Sequence, residues 1–428
     1  MKASGVSISV PEIQQDAPEL PLLAHPRQQD VRLIETYAAL TQVVELFNEQ
    51  AGPIAVDAER ASGFKYGSQA YLVQLYRRGA PIAMIDPQSV LADNKDAFKI
   101  VSDLLDSAEW VLHAATQDIP CLAELGLRPK KIFDTELGAR IANLDRVGLG
   151  SACEQLLGIR LAKEHSAVDW STRPLPENWL TYAALDVDVL IDLRDAVEAE
   201  LVRQGKIDWA LAEFENLLRF EPKPMNPEKW RSISGLSSVK DQKQLAIARA
   251  LWNAREELAQ KLDVSPGRLV PDASLVEAAT SNMRTRAELA ANRKFAGRAS
   301  RSYLDTWWAA VLAGQSSRDL PPVRLALSGM PNHRSWPQRY PDADSRLKCV
   351  RVSLTKLAEA LNLPIENLVS PEVVRQVCWA PEKESLQALE AQLAKHGARK
   401  WQVSLISQEM LEAIIEADSQ TPPESDQQ

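Results

Sequence analysis

Asp57 and Glu59 stand two apart within PIAVDAER, a short β-rich run, so both carboxylates emerge from the same face of a predicted strand. Two acids side by side repel each other unless something positive lies between them. A hard divalent cation such as Mg²⁺ takes oxygen ligands of this kind. The competing reading is a strand edge with exposed acids, since D-x-E arises often by chance. Asp118, in HAATQDIPCL, follows a predicted strand and opens a predicted helix with Pro120 just inside it, where its local role would be an N-cap. Tyr182 and Asp186, in LTYAALDVDVLI, stand four apart on a predicted helix and share a face, while Asp188 points elsewhere. A surface Tyr-Asp pair would be unremarkable. Converging on Asp57 and Glu59, the same pair would complete a two-metal hydrolytic site with a water-positioning hydroxyl. His113 lies on a predicted buried strand and reads as a packed, hydrogen-bonded residue, and Asp134 in IFDTEL reads as a helix cap.

The elements that carry these residues alternate. Leu40, Val43, Val44, Leu46 and Phe47 recur at helical spacing until Gly52-Pro53 stops them. PIAVDAER, AYLVQLYRRG and PIAMID then read as three consecutive strands. A helix over about 94 to 107, the strand WVLHAA and a short helix ending at Gly126 continue the alternation, which predicts an α/β domain with a mixed sheet and helices on its faces. Residues 177 to about 220 read as almost continuous helix, broken by the Pro-rich linker EPKPMNP at 221–227. Everything beyond is helical, in two sets separated by a second Pro-rich break. VSPGRLVPDASL from Val264 aligns with LPIENLVSPEVV from Leu363 at an offset of 99 residues, which suggests a duplicated unit. Residues 1 to about 30 and 419–428 read as loosely ordered tails.

Composition sets outer limits. The 428 residues allow two or three domains, and 45% hydrophobic with 25% charged content fits neither a disordered nor a fibrous chain. The formal net charge of −9 gives no whole-chain signature of a nucleic-acid binder. Residues 228–318, however, hold 15 Lys and Arg against 9 Asp and Glu, so an acidic body carries one basic module suited to a polyanion. Cys121, Cys153, Cys349 and Cys378 form no CxxC pair, which argues against a zinc knuckle or a disulfide framework and points to a reducing, cytoplasmic setting. No apolar run is long enough to span a membrane, and the start lacks an apolar signal core.

The conjunction and order of the motifs say more than any one of them. AVDAER, LHAATQDIPCLAEL and LTYAALDVDVL resemble the three exonuclease motifs of the DEDD superfamily, and Tyr182 marks its DEDDy subtype. The stretch GLGSACEQLLGIRLAKEHSAVDWSTRPLPENW is similar to that of the ribonuclease D family, with Lys163, Asp169-Trp170 and Arg173-Pro174-Leu175 in the expected places. The resemblance implies a ribonuclease H-like DEDDy 3′-5′ exonuclease domain over 30–220, an HRDC domain over 228–318 and a second, divergent HRDC-like domain over 319–418. It implies two Mg²⁺ or Mn²⁺ ions held by Asp57, Glu59, Asp118 and Asp186, a water positioned by Tyr182, and removal of nucleoside 5′-monophosphates one at a time from RNA 3′ ends, transfer RNA precursors included. Lys163, Arg249, Arg255, Arg284, Arg286, Arg293, Lys294, Arg298 and Arg301 are the candidate phosphate contacts, and a monomer is expected. Ala58 departs from the pattern, because many relatives carry Thr between the two acids, which puts substrate contacts in question more than catalysis. A 3′ DNA exonuclease, or a non-catalytic nucleic-acid-binding scaffold, are the alternatives.

Overall fold

The computed structural model describes residues 20–162, 168–222, 224, 226–324 and 329–420. Its first part is an α/β domain. The strands are β1 (Leu22–Leu23), β2 (Val31–Ile34), β3 (Ile54–Arg60), β4 (Ala70–Tyr76), β5 (Ile82–Ile85), β6 (Trp110–Leu112), β7 (Ile132–Asp134) and β8 (Arg160–Leu161). Six of them form one sheet in the order β2-β5-β4-β3-β6-β7, in which β4 runs antiparallel to both neighbours and the remaining pairs are parallel. The central strands are apolar on both faces because both faces are covered. One face packs on α1 (Tyr37–Asn48), α2 (Pro87–Asp93), α3 (Phe98–Asp106), α4 (Ile119–Glu124), α5 (Thr135–Ile141) and α6 (Leu149–Leu156) through residues such as Val56, Val73 and Leu75. The other face, with Ala55, Leu72 and Met84, packs on Ala183, Ala184 and Val187 of α7 (Glu177–Arg203).

The helix predicted to run almost unbroken to Phe220 is two helices. Gly205 takes φ of 69°, a left-handed conformation that ends α7, and α8 (Ile207–Leu217) begins two residues later. The chain also joins the domain earlier than composition suggests. Leu22–Leu23 pairs with Arg160–Leu161, and the Arg27 and Gln28 backbone N–H groups donate to the buried Asp188 carboxylate, so residues 20–29 are tied to the domain. That contact is where the side chain of Asp188 goes.

Beyond the linker come α9 (Gln242–Leu262), α10 (Pro266–Leu269), α11 (Asp272–Thr280), α12 (Arg286–Ala291), α13 (Arg298–Ser302) and α14 (Leu304–Ser316). The last helical set is α15 (Trp336–Arg339), α16 (Pro341–Ala360), α17 (Ile365–Leu368), α18 (Pro371–Trp379), α19 (Leu386–Lys395) and α20 (Lys400–Gln420). The helices α16, α17 and α18 start 99 residues after α9, α10 and α11 respectively, so the short sequence match extends over a whole helical plan. Buried Leu269, Val270 and Trp307 have buried Leu368, Val369 and Ile406 as their counterparts. Gly314 allows α14 to press onto α9, since a Cβ there would lie 2.4 Å from the Ile247 Cα; its counterpart in the second unit is Ala413.

Both helical units dock on the α/β domain through the same corner. Asp263, left-handed after α9, accepts from the Tyr66 N–H and pairs with Lys65, while the Ser265 N–H and the Arg268 guanidinium donate to the carbonyls of Phe64 and Gly63. Asn362, its left-handed counterpart after α16, accepts from Asn143 through its side chain and from buried Lys206 through its carbonyl. Farther along this second interface Trp401 stacks on Trp209 at 5.2 Å and donates to buried Glu213, which also pairs with Arg399. Trp401→Ala should therefore lower stability by about 3 kcal/mol, a low value for truncating a Trp. Trp401→Phe, which keeps a stacking ring but loses the bond to Glu213, should lose less. Denaturant titrations of the two variants check the order, and equal losses would mean that the stacking contributes nothing.

Candidate active site

Strand β3 ends where the chemistry begins. Asp57 and Glu59 project from it toward α7, and Asp186 of α7 meets them: each of the three offers a carboxylate oxygen, all within 4.8 Å of one another. No other such cluster occurs among the described residues. Asp118 enters from the turn after β6. It occupies the N-cap position of α4, yet its side chain makes no capping hydrogen bond, so the local reading of this residue does not describe it. It lies outside the 4.8 Å group but close enough to repel Asp57 and Glu59.

The electrostatics show what the arrangement lacks. Burial, and then repulsion from Asp57, Asp186 and Asp118, pushes Glu59 well above the usual carboxylate range. Burial and Asp57 do the same to Asp118, and burial raises Asp57 itself against the pull of the Ala58 N–H and of Arg60. Asp186 is pushed up to about 8 by burial and Asp57, with the Tyr182 hydroxyl opposing through a hydrogen bond. A set of oxygen ligands that holds protons near neutrality is one short of positive charge, and a divalent cation fits it. Burial and the same acids push the Tyr182 phenol upward, so it stays protonated and cannot serve as a base.

Arg60, the residue after Glu59, was not among the sequence-derived candidates. Its guanidinium acts on Asp57, Glu59 and Asp118 alike, although among the described residues it forms no ion pair with any of them. It follows Glu59 where the pairing of β3 with β4 shifts register, so two-residue spacing does not assign it to the acids. Ala58 is buried in the α1–α6 side of the sheet.

Other residues prove to be supports. Asp134 caps α5 as expected, accepting from the Glu136 and Leu137 N–H groups, and it also accepts from Ala114 and Ala115. Four donors on one buried carboxylate thus fix the turn that leads to Asp118, including left-handed Ala114. His113 stands one residue past β6, its Nδ1 bonded to Thr135 Oγ1 at 2.9 Å, and burial lowers its pKa to about 4, so it is a neutral packed residue. Arg173 bonds Asp86 at 2.6 Å and the carbonyls of Tyr71 and Trp170. Lys163 lies outside the described residues.

Of the proposed phosphate contacts, Arg255 is excluded by its surroundings: its side chain is 7% exposed and bonded to Asp272 and the Val270 carbonyl. Arg249 pairs with Asp319 and Arg286 with Asp305. Arg284, Arg293, Lys294, Arg298 and Arg301 are exposed, without an ion pair among the described residues. Trp307 is core, donating to the Ser300 carbonyl.

Family models agree with this layout. A model described as a 3′-5′ exonuclease matches residues 31–202, an HRDC domain model matches 244–311, and a model described as a 3′ to 5′ exonuclease C-terminal domain matches 329–414. Ribonuclease D of Gluconacetobacter diazotrophicus is 32% identical over 265 residues, 59% of this chain and 63% of that one. This chain joins a 3′-5′ exonuclease domain to an HRDC domain, and the curated proteins it resembles are named ribonuclease D. Ribonuclease D of Acidiphilium cryptum is likewise 32% identical, over 58% of this chain and 62% of that one. The matched segment thus spans a little under two thirds of these ribonuclease D relatives. Among solved structures, a protein from Bifidobacterium adolescentis is 36% identical with a TM-score of 0.85, covering 93% of this chain and all of that one. Escherichia coli RNase D, 23% identical over 91% of this chain and 99% of that one, shares the fold at a TM-score of 0.65. The ribonuclease D exonuclease domain is of a divalent-metal-dependent family, in keeping with the acidic cluster.

The raised acids predict a pH signature. Asp186 ionises near 4 when unfolded and near 8 in place, so its preference for the proton stabilises the metal-free fold fully below about pH 4 and is lost as pH rises toward 8. In chelator the melting temperature should fall across that window, and a saturating divalent cation should remove the fall. A flat profile in chelator would mean that the acids are not mutually strained.

Proposed function

We propose that this chain is a metal-dependent 3′-5′ exoribonuclease that trims RNA ends and releases nucleoside 5′-monophosphates. The observation that carries the reading is the convergence of Asp57, Glu59 and Asp186, with Asp118 and Tyr182 beside them, from three segments far apart in sequence. RNA as substrate is supported by the ribonuclease D name of the relatives, and transfer RNA precursors are the family expectation.

Asp57, Glu59, Asp118 and Asp186 would hold two Mg²⁺ or Mn²⁺ ions, since a donor set of oxygens alone suits these better than Zn²⁺. When bound, such ions supply a nucleophile at neutral pH and stabilise the charge on the departing 3′ oxygen. Tyr182, protonated and tied to Asp186, orients the attacking water without taking its proton. Arg60 places positive charge beside the acids, where the terminal phosphate arrives. The exposed cations of the first helical unit grip the RNA upstream, sequence-independently.

Asp57→Asn and Asp186→Asn should each leave under a tenth of wild-type hydrolysis of a matched single-stranded RNA, with the metal-free melting temperature unchanged or raised because repulsion is relieved. Chelation should stop wild-type turnover, and Mg²⁺ or Mn²⁺ should restore it. Residual activity above a tenth in either variant would remove that residue from the mechanism. Faster hydrolysis of the matched DNA would favour the DNA exonuclease.

Replacing Arg293, Lys294, Arg298 and Arg301 together by Ala should weaken binding of a long RNA and reduce the log-log salt slope by up to about 3, at roughly 0.7 per single-strand phosphate contact. The measurement is affinity across about 50 to 200 mM salt, the range in which such contacts lose most of their strength. Parallel slopes would mean that this face does not meet phosphates.

A further inference from the structure

Gln74 lies directly opposite Asp57 in the antiparallel pairing of β3 with β4, and opposite Met84 in the pairing of β4 with β5. Residues facing each other across antiparallel strands project to the same side, their Cβ atoms about 5 Å apart. That side is the α7 face, where Asp57 meets Asp186. Gln74 is 0% exposed, and neither its amide nitrogen nor its amide oxygen has a hydrogen-bond partner among the described residues.

A buried amide with both ends unpartnered destabilises a core that an apolar side chain of the same size would fill without cost. Its surroundings supply little relief. Met84 on one side is apolar, and the backbone of α7 above spends its N–H and carbonyl groups within the helix. Asp57 on the other side is the polar group paired directly with it. A carboxylate that gives one oxygen to a cation keeps a second oxygen that accepts hydrogen bonds, and such outer partners fix a ligand's orientation.

Resting on the metal-nuclease reading above, we infer that Gln74 is a positioning residue: its side-chain amide donates to the Asp57 carboxylate when the cation site is loaded, holding that ligand in one rotation. The orphaned amide is then a support built for the loaded state.

Gln74→Met tests this, because it keeps the volume and removes both polar atoms. Binding of Mn²⁺ alone, without RNA, should weaken about 10- to 100-fold, the range seen when a partner behind a metal ligand is lost. The metal-free melting temperature should hold or rise, and KM for a short RNA at saturating Mn²⁺ should stay within about twofold. Met84→Leu, a packing change on the same face, should leave Mn²⁺ affinity unchanged. A dissociation constant in Gln74→Met within about twofold of wild type overturns the inference. So does a loss of Mn²⁺ binding that accompanies a lowered metal-free melting temperature, since that marks a packing role. Absence of Mn²⁺ binding by the wild-type protein would instead bring down the metal-nuclease reading itself.

Discussion

Four carboxyl groups gathered at one place, three half-buried and Asp118 buried, cannot all ionise without a compensating positive charge, and most of the α/β domain follows from holding them there against that repulsion. The sheet supplies rigidity for two of them: Asp57 and Glu59 sit on a central strand, each paired across to β4. Helix α7 delivers the third, and only the turn after β6 delivers its acid, Asp118, from irregular backbone. In the proposed function the basic helical unit answers a related difficulty, since an acidic body must still draw in a polyanion.

Each of the less regular approaches to the site has a buried polar anchor behind it. Asp134 gathers four backbone N–H groups and so fixes the turn before Asp118. Asp188, one turn-face away from Asp186, takes the Arg27 side chain and the backbone of Arg27 and Gln28. Arg173 ties the loop before α7 to Asp86 and to β4. In a low-dielectric interior, fully partnered groups of this kind specify one arrangement more sharply than apolar packing does.

The parts of the site that obey a local period were legible in the sequence. Two-residue spacing on a strand paired Asp57 with Glu59, and four-residue spacing on a helix paired Tyr182 with Asp186. What local spacing alone could not give depended on distant elements. Asp118 has every local mark of a cap, and only its place in the motif marks it as a ligand. Arg60 falls outside the two-residue spacing of the acids, and Arg255 is basic like its neighbours yet faces inward to Asp272. The almost unbroken helical pattern from 177 hid a corner because one left-handed glycine leaves little trace in hydrophobic periodicity.

The duplicated helical unit carries its own history. Asp263 and Asn362 occupy the same left-handed position at the end of equivalent helices, and each faces the α/β domain at a different place. One handle, copied, has been fitted to two sockets. With attachment vested in that corner, the remaining surfaces were free to drift apart, and they did: residues 242–321 hold 12 Lys and Arg against 8 Asp and Glu, whereas 341–420 hold 9 against 12. One descendant kept a face suited to polyanions, and the other became a brace, its Trp401 and Arg399 spent on the catalytic body. The two units divide the surface accordingly: the second spends its Trp401 and Arg399 on the α/β domain, and the first leaves Arg293, Lys294, Arg298 and Arg301 exposed.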